Sequence, residues 1–171
     1  MADSIDELVC QVRSADLVDA MGRLHRHRCH ILDLVSPTPG RPLFGRAVTI
    51  SYFPTCDAAL DPTDYNFARL FYQAAGDDPA GKVLVLASNG HPDTSLGGGT
   101  KVSRAHNHGL AGVLADGRLR DFDEISRNDM AVYCTCHLYT TDAADYSSVV
   151  YISVFSVSLK KKFLKKNKAK K

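Results

Sequence analysis

A glycine-rich segment and an acidic segment that contains arginine hold the residues of this chain best suited to chemistry. The first segment is Gly97-Gly98-Gly99-Thr100, and the second is Asp-Gly-Arg-Leu-Arg-Asp-Phe-Asp-Glu at 116–124. Glycines let a backbone approach a ligand closely, and a helix that begins there offers unpaired amides to an anion. Together the segments predict a site for a small anionic substrate and a divalent metal ion.

Spacing within the acidic segment gives its side chains different chemical uses. Arg120 has a planar fork of donors that suits a carboxylate, and Asp121, beside that guanidinium, stays ionised as a ligand of a hard cation must. Glu124 follows Asp121 by three residues, so both face the same way on one helical turn. Asp116 stands at the predicted end of a strand, where Gly117 permits a sharp turn. A bound Mg²⁺ would polarise a carbonyl and stabilise an enolate.

An ordinary surface turn is the alternative for the same residues. Asp-Gly-x-x-Arg-Asp can form solvated salt bridges without binding any ligand, and glycine-rich loops are common. The segment that ends at Thr100 also lacks the Gly-Lys-Ser/Thr ending of a phosphate-binding loop. These residues alone leave the choice between a catalytic site and a surface turn open.

Strands and helices are predicted to alternate around both segments. The predicted strands are β-branched or continuously apolar and lie at 47–53, 82–87, 112–115 and from 131 onward. The predicted helices cover 5–13, 14–21 with a stop at Gly22, 61–75, 100–108 and 122–127, and 88–99 is expected to be a loop. This order indicates an α/β fold, in which ligand sites lie at the carboxyl ends of strands.

Composition restricts the function classes. The chain has 171 residues, 44% hydrophobic and 23% charged, which is enough for one globular domain with a core. No apolar run is long enough to span a bilayer, and the acidic N-terminus lacks the order of a signal peptide. A cytoplasmic location without membrane association is therefore expected.

The character of the sequence changes at Cys134. Eight lysines fall in the last twelve residues, so the first 133 residues are mildly acidic and no nucleic-acid partner is expected. The lysine run could be a solvated, disordered end, or it could be a tail that binds nucleic acid or a membrane. The favoured hypothesis divides the chain into a globular domain at 1–133 and a non-native or disordered tail at 134–171. Residues 136–145 resemble a translated sequencing adapter, and A-rich DNA encodes lysine runs.

Longer motifs add a family resemblance. Gly99, twenty residues, Arg120-Asp121, two residues and Glu124 match the signature of the RraA-like proteins. Further matching blocks, in the family's order, are Asp19-Ala-Met-Gly-Arg, Phe44-Gly-Arg-Ala-Val-Thr, Gly81-Lys-Val-Leu-Val and the segment 109–125. The resemblance covers about residues 14–133. The family includes the class II 4-hydroxy-4-methyl-2-oxoglutarate / 4-carboxy-4-hydroxy-2-oxoadipate aldolases.

The resemblance implies a fold and an activity. The fold is a layered α/β/β/α sandwich of the RraA type, assembled as a homotrimer or hexamer, from which this chain would lack C-terminal strands and a helix. The aldolases use Mg²⁺ or Mn²⁺ to cleave 4-hydroxy-2-oxo acids to pyruvate by retro-aldol reaction, and they decarboxylate oxaloacetate. Other relatives resemble non-catalytic regulators that bind a ribonuclease, which is the alternative function. A metal site is not needed for protein binding, so the retained motif favours the lyase.

Roles for single residues also follow from the resemblance. Arg120 would bind the substrate's carboxylate or keto oxygen, and Asp121 would hold the metal directly or through water. Glu124 completes the signature, and Asp116 is a candidate for orienting water. The backbone amides that would line the substrate belong to Gly98, Gly99, Thr100 and Lys101.

Two departures from the family pattern carry expectations. Many members have an acidic residue in the glycine loop near Gly99, so metal affinity or substrate choice is expected to differ here. The family's aldolases also draw a further acidic group from a later segment of a neighbouring subunit. If residues 134–171 are foreign, that group is missing and low activity is expected.

Overall fold

The computed structural model describes residues 5–9, 11–25, 30–53, 59–138 and 150–151. The chain forms two compact units, Met1–Asp33 and Leu34–Lys171. The first unit contains α1 (Ile5–Val9) and α2 (Ser14–His25). The helix predicted from Ser14 is confirmed, but the predicted stop at Gly22 is wrong. Gly22 has no positive φ, and one glycine costs a helix only about 1 kcal/mol, so α2 continues to His25.

The second unit carries the sheet and the segments of chemical interest. Its elements are β1 (Arg46–Tyr52), α3 (Phe67–Ala75), β2 (Lys82–Ala87), β3 (Ser95–Gly97), α4 (Gly99–Asn107), β4 (Gly112–Leu119), α5 (Phe122–Ile125), β5 (Ala131–His137) and β6 (Val150–Tyr151). This mixed α/β order confirms the predicted fold class.

The sheet is parallel except at one edge. Its strand order is β3-β4-β2-β1-β6, and β5 also pairs with β4. β6 alone among the described strands runs antiparallel to its neighbour, β1. The first half of β4 pairs with β2, whereas its second half, beyond an irregularity in register, pairs with β3. The carboxyl ends of β1, β3 and β4 consequently lie on the same edge of the sheet.

Apolar side chains on the strands and on α3 and α4 form the core. Those that are fully buried include Ile50, Phe71, Leu86, Val102, Val113 and Val132. Apolar burial of this kind contributes about 25 cal/mol per Å² and supplies most of the driving force for folding. Among the described residues, no helix combines the length and apolar character needed to cross a membrane.

Two further predicted boundaries are wrong for identifiable reasons, and one strand was not predicted. The helix predicted from Asp61 begins at Phe67, because the Asp61 carboxylate closes a turn by accepting from Thr63 and the Asn66 side chain caps α3. The strand predicted at 112–115 continues to Leu119, because β3 supplies a new partner. That partner lies at 95–97, inside the segment predicted to be a loop.

The strand predicted from residue 131 is confirmed and runs to His137. Cys134 is fully buried there and forms a backbone bridge with Val35. The predicted domain boundary after Tyr133 and the foreign origin of residues 134–171 stay predictions. Most of that predicted tail lies outside the described residues.

Candidate functional site

The two segments singled out in the sequence meet where the chain leaves β3 and β4. β3 ends at Gly97 and α4 begins at Gly99, while β4 ends at Leu119 and α5 begins at Phe122. The Arg120 amide donates to the Gly97 carbonyl at 3.0 Å, which extends the pairing of the two strands by one residue. Arg120 and Asp121 are thereby fixed against the glycine segment by the backbone itself.

Gly98 is the surface on which Arg120 and Asp121 pack. A Cβ at position 98 would overlap Asp121 Oδ2 and lie 2.8 Å from Arg120 Cγ. Since φ of Gly98 is −156°, any residue could adopt its backbone conformation, and the requirement for glycine is steric. Gly98 therefore sets how closely the two functional side chains approach the loop.

Gly99 leaves room in the same way for the Glu124 side chain. A Cβ at position 99 would overlap the Glu124 carboxylate, which lies over the start of α4. The Gly99 amide donates to Asp121 Oδ2 at 3.1 Å. The sequence predicted helix amides open to an anion, but this amide is held by the chain's own carboxylate.

Asp121 has a backbone conformation that few residues tolerate. Its φ and ψ are 61° and 41°, in the left-handed region, where aspartate and asparagine are several-fold enriched among non-glycine residues. Asp121 stands at the N-cap of α5 yet forms no capping hydrogen bond, because its carboxylate turns to Gly99 instead. Backbone strain of about 1 kcal/mol at such a residue is a feature often found at functional sites.

Arg120 and Asp121 form a partly exposed ion pair. Arg120 Nε lies 3.6 Å from Asp121 Oδ2, and the side chains are 47% and 32% exposed. Among the described residues, no acceptor hydrogen-bonds to the Arg120 Nη groups, so the end of the guanidinium can receive a substrate carboxylate.

Lys101 lies at this site through its side chain, which the sequence analysis did not foresee. Its Nζ donates to the Tyr52 hydroxyl at 3.1 Å and to the Leu96 carbonyl at 3.0 Å, and lies 4.9 Å from the ring centroids of Tyr52 and Phe67. Burial, and after it the positive charge of Arg120, lowers the pKa of Lys101 to about 8. Burial raises the pKa of Tyr52. The sequence signal for an unusual role of Lys101 was its position in the first turn of a predicted helix, where the helix dipole disfavours a cation.

Within the described part of the chain, the side chains of Asp116 and Thr100 form no hydrogen bond with Arg120 or Asp121. The exposed Asp116 side chain accepts a hydrogen bond from the Ser88 amide at the end of β2. Thr100 and Glu124 line an open groove of about 490 Å³ that α3 and α4 also border, and Arg120 and Asp121 are not among its lining residues. The structure thus brings Gly98, Gly99, Arg120, Asp121 and Glu124 together, with Lys101 nearby.

The donor set limits how a metal ion could be held. No cluster of three or more His, Cys, Asp or Glu side chains arranged for a metal occurs among the described residues. Mg²⁺ and Mn²⁺ favour oxygen ligands, and Mg²⁺ commonly keeps several waters and binds through one or two carboxylates plus substrate oxygens. Asp121, whose side chain is partly exposed, fits that mode as a single carboxylate ligand, whereas the described residues do not fit a metal site made entirely of protein ligands.

Comparison with known proteins identifies the family to which the sequence is similar. The family model RraA-like, described as Aldolase/RraA, matches residues 14–159. Two Arabidopsis thaliana proteins, named putative 4-hydroxy-4-methyl-2-oxoglutarate aldolases 2 and 1, are each 36% identical over 69 residues. The matched part is 40% of this chain and 40% of each relative, so the likeness spans less than half of either protein.

Solved structures show the same fold. An uncharacterised Pseudomonas syringae protein superposes with a TM-score of 0.67 at 22% identity, over 89% of this chain and 64% of that one. Streptomyces coelicolor RraAS2, described as an unusual member of the RNase ES inhibitor RraA protein family, gives 0.64 at 21% identity, over 88% and 72%. At these identities the likeness concerns the fold alone.

Proposed function

This chain belongs to the RraA-like family, and from that premise we propose that it is a carbon–carbon lyase. Its substrates are 4-hydroxy-2-oxo acids of the 4-hydroxy-4-methyl-2-oxoglutarate type, cleaved to pyruvate by retro-aldol reaction. Oxaloacetate decarboxylation is a side activity. The observation that carries the proposal is the packing of Arg120 and Asp121 on Gly98 and Gly99, since loss of either glycine would displace a charged group.

Both proposed reactions need the same stabilisation. In the retro-aldol reaction the 4-hydroxyl loses its proton to solvent, its oxygen becomes the carbonyl of a second oxo acid, and the electron pair of the broken bond between carbons 3 and 4 forms the enolate of pyruvate. Loss of CO₂ from oxaloacetate forms the same enolate, which becomes pyruvate by taking up a proton from solvent at carbon 3. The bidentate fork of Arg120 binds the carboxylate next to the keto group and fixes the plane of the oxo acid. Asp121 would hold Mg²⁺ or Mn²⁺, which supplies Lewis-acid stabilisation of developing negative charge.

The other residues of the signature affect how the Asp121 carboxylate is positioned. The Gly99 amide holds one oxygen of Asp121, so the carboxylate keeps a single direction. Glu124 packs over Gly99 without a hydrogen bond to Asp121, and we assign it no direct part in the bond cleavage. Asp116, which binds the Ser88 amide, has no part in the proposed reaction.

The assembly is part of the proposal. We expect a homotrimer or hexamer, in keeping with the resemblance, and a cytoplasmic enzyme. The first unit offers apolar surface that an assembly could cover, because α2 has no buried residue and leaves Leu17, Met21 and Leu24 exposed. The mass of the protein in solution tests this expectation.

Pyruvate release from oxaloacetate tests the activity. The purified chain is assayed with Mg²⁺, with Mn²⁺ and with excess EDTA, against the uncatalysed rate in each buffer. The proposal predicts release that EDTA abolishes and that added metal restores. Release that never exceeds the uncatalysed metal-dependent rate would overturn the lyase assignment and favour a non-catalytic regulator.

A further inference from the structure

We propose that the side chain of Lys101 is a substrate-binding residue, and that its ammonium group receives a carboxylate of the oxo acid at a second point beyond Arg120. This inference rests on the proposed function and names a residue that discriminates dicarboxylates from monocarboxylates.

The ammonium of Lys101 is enclosed by groups that carry no negative charge. Its two hydrogen bonds go to a neutral hydroxyl, on Tyr52, and to the carbonyl of Leu96. The rings of Tyr52 and Phe67 cover it at 4.9 Å each. Such contacts compensate part of the lost hydration of a cation.

A counter-ion is missing from this enclosure. Within the described part of the chain, no carboxylate forms an ion pair with Lys101, whereas four arginines on the surface and Arg120 each have an aspartate partner. Partly buried charges in proteins are normally paired, because an unpaired charge loses hydration free energy that no other interaction replaces. An anionic ligand would supply the absent partner.

The lysine stem places the ammonium on the same edge of the sheet as Arg120. Its Cδ passes 3.4 Å from the position of a Cβ on Gly97, whose carbonyl accepts the Arg120 amide. The ammonium reaches Tyr52, the last residue of β1, while Arg120 follows the last residue of β4. Two cations, one on α4 and one directly after β4, thus lie at the carboxyl edge of the sheet, an arrangement that suits an acid with two carboxylates.

The titration of Lys101 agrees with this arrangement. The titratable and charged groups that face it are Tyr52 on β1 and Arg120 after β4, and neither bears a negative charge at neutral pH. Burial and Arg120 lower the pKa of Lys101 to about 8. A bound carboxylate would raise that pKa again, so binding near pH 8 takes up protons.

Malonate, an unreactive dicarboxylate, is the probe for this site. Its binding to the full chain is measured by titration calorimetry near pH 8, in two buffers with different ionisation enthalpies. We expect Lys101→Met to weaken malonate binding at least about tenfold, the loss typical of a charge-assisted contact, and to abolish proton uptake. Lys101→Arg keeps the cation and should retain most of the affinity.

The matched control is Lys82→Met. Lys82 is also partly buried with a carbonyl acceptor, on Ala75, but lies at the first residue of β2 and so at the opposite edge of the sheet. This variant should bind malonate like the parent. Equal affinity of the parent and Lys101→Met, or no malonate binding by the parent, would overturn the proposal.

The two proposals fail separately. If the parent binds malonate through Lys101 but releases no pyruvate, the lyase assignment fails and the anion site stands. If the parent releases pyruvate and Lys101→Met has an unchanged KM for oxaloacetate, the lyase stands and the role of Lys101 is refuted. Should Lys101→Met not fold, Lys101→Gln, which keeps a polar end without the charge, takes its place: weakened malonate binding would support the proposal, and parental binding would overturn it.

Discussion

Arg120 and Asp121 are neighbours in the chain, yet they serve different partners because of one unusual backbone angle. The backbone of Asp121 has a left-handed conformation, which directs its carboxylate toward the Gly99 amide. The Arg120 side chain packs against Gly98. The motif therefore works as a geometric unit of two glycines and two charged residues. Any side chain larger than hydrogen at Gly98 or Gly99 would disturb this unit.

Gly98→Ala tests that tolerance. The added methyl group would overlap Asp121 Oδ2, so the carboxylate and the guanidinium must both move. We expect turnover to fall about 100-fold, as small misplacements of positioned groups commonly do, with little change in secondary structure. Rates of pyruvate release and circular dichroism measure the two effects. A rate within a factor of about two of the parent would contradict this steric role.

Arg120→Lys separates charge from geometry. Lysine keeps the positive charge but lacks the planar fork that binds a carboxylate with two parallel hydrogen bonds. We expect kcat/KM to fall about 10- to 100-fold, the equivalent of losing one charge-assisted hydrogen bond. Steady-state kinetics with oxaloacetate check this. Full activity in Arg120→Lys would show that only charge matters at this position.

Among the elements, β4 decides where the site lies. Its second half leaves β2 and pairs with β3, and Gly117 lies against Leu96, a fully buried residue of β3. This close approach of the two strands brings the glycine segment to Arg120. The placement depends on a small residue at position 117.

Gly117→Ala should therefore destabilise the fold. An added Cβ would stand 2.8 Å from Leu96 Cδ1, and overpacking of a buried contact costs about 1–3 kcal/mol. Urea unfolding measures the loss. Gly22→Ala is the control, because its Cβ would meet nothing within 4 Å on a helix, and alanine favours helices. Equal stability of Gly117→Ala and the parent would refute the close approach.

The sequence allowed the alternation of elements to be predicted, because β1, β2 and α3 have strong apolar patterns. It did not reveal β3, which is three residues long and has no pattern of its own. The residues Asp116 to Arg118 are typical of a turn, but the partner strand β3 keeps them extended. At the site, the Arg120–Asp121 motif could be recognised from the sequence. The surroundings of the Lys101 ammonium could not be predicted, because Tyr52 and Phe67 come from distant parts of the chain.

For the molecule as a whole, Lys101 gives stability a pH dependence. The folded pKa of about 8 lies below the ordinary 10.5, so between these values the unfolded chain binds more protons than the native chain. The contribution of Lys101 to the free energy of unfolding should therefore be constant below about pH 8 and rise above it. The raised pKa of Tyr52 acts in the opposite sense once the unfolded tyrosine ionises, above about pH 10.

Urea unfolding of the parent and Lys101→Met between about pH 7 and pH 10 isolates this effect. The parent should gain stability relative to the variant as pH rises through about 8. A difference between parent and variant that does not change with pH would mean that Lys101 has an ordinary pKa in the native protein.

The central claim is that the Asp121 carboxylate serves a metal-dependent carbon–carbon cleavage, and one comparison of variants tests it directly. Asp121→Asn keeps an acceptor for the Gly99 amide and tolerates the left-handed backbone, so only the charge is lost. Asp123→Asn removes an exposed carboxylate two residues away. Pyruvate release from 4-hydroxy-4-methyl-2-oxoglutarate is measured for both with saturating Mg²⁺. We predict near-parental rates for Asp123→Asn and a loss of at least about 100-fold for Asp121→Asn; equal rates for the two variants would contradict the account.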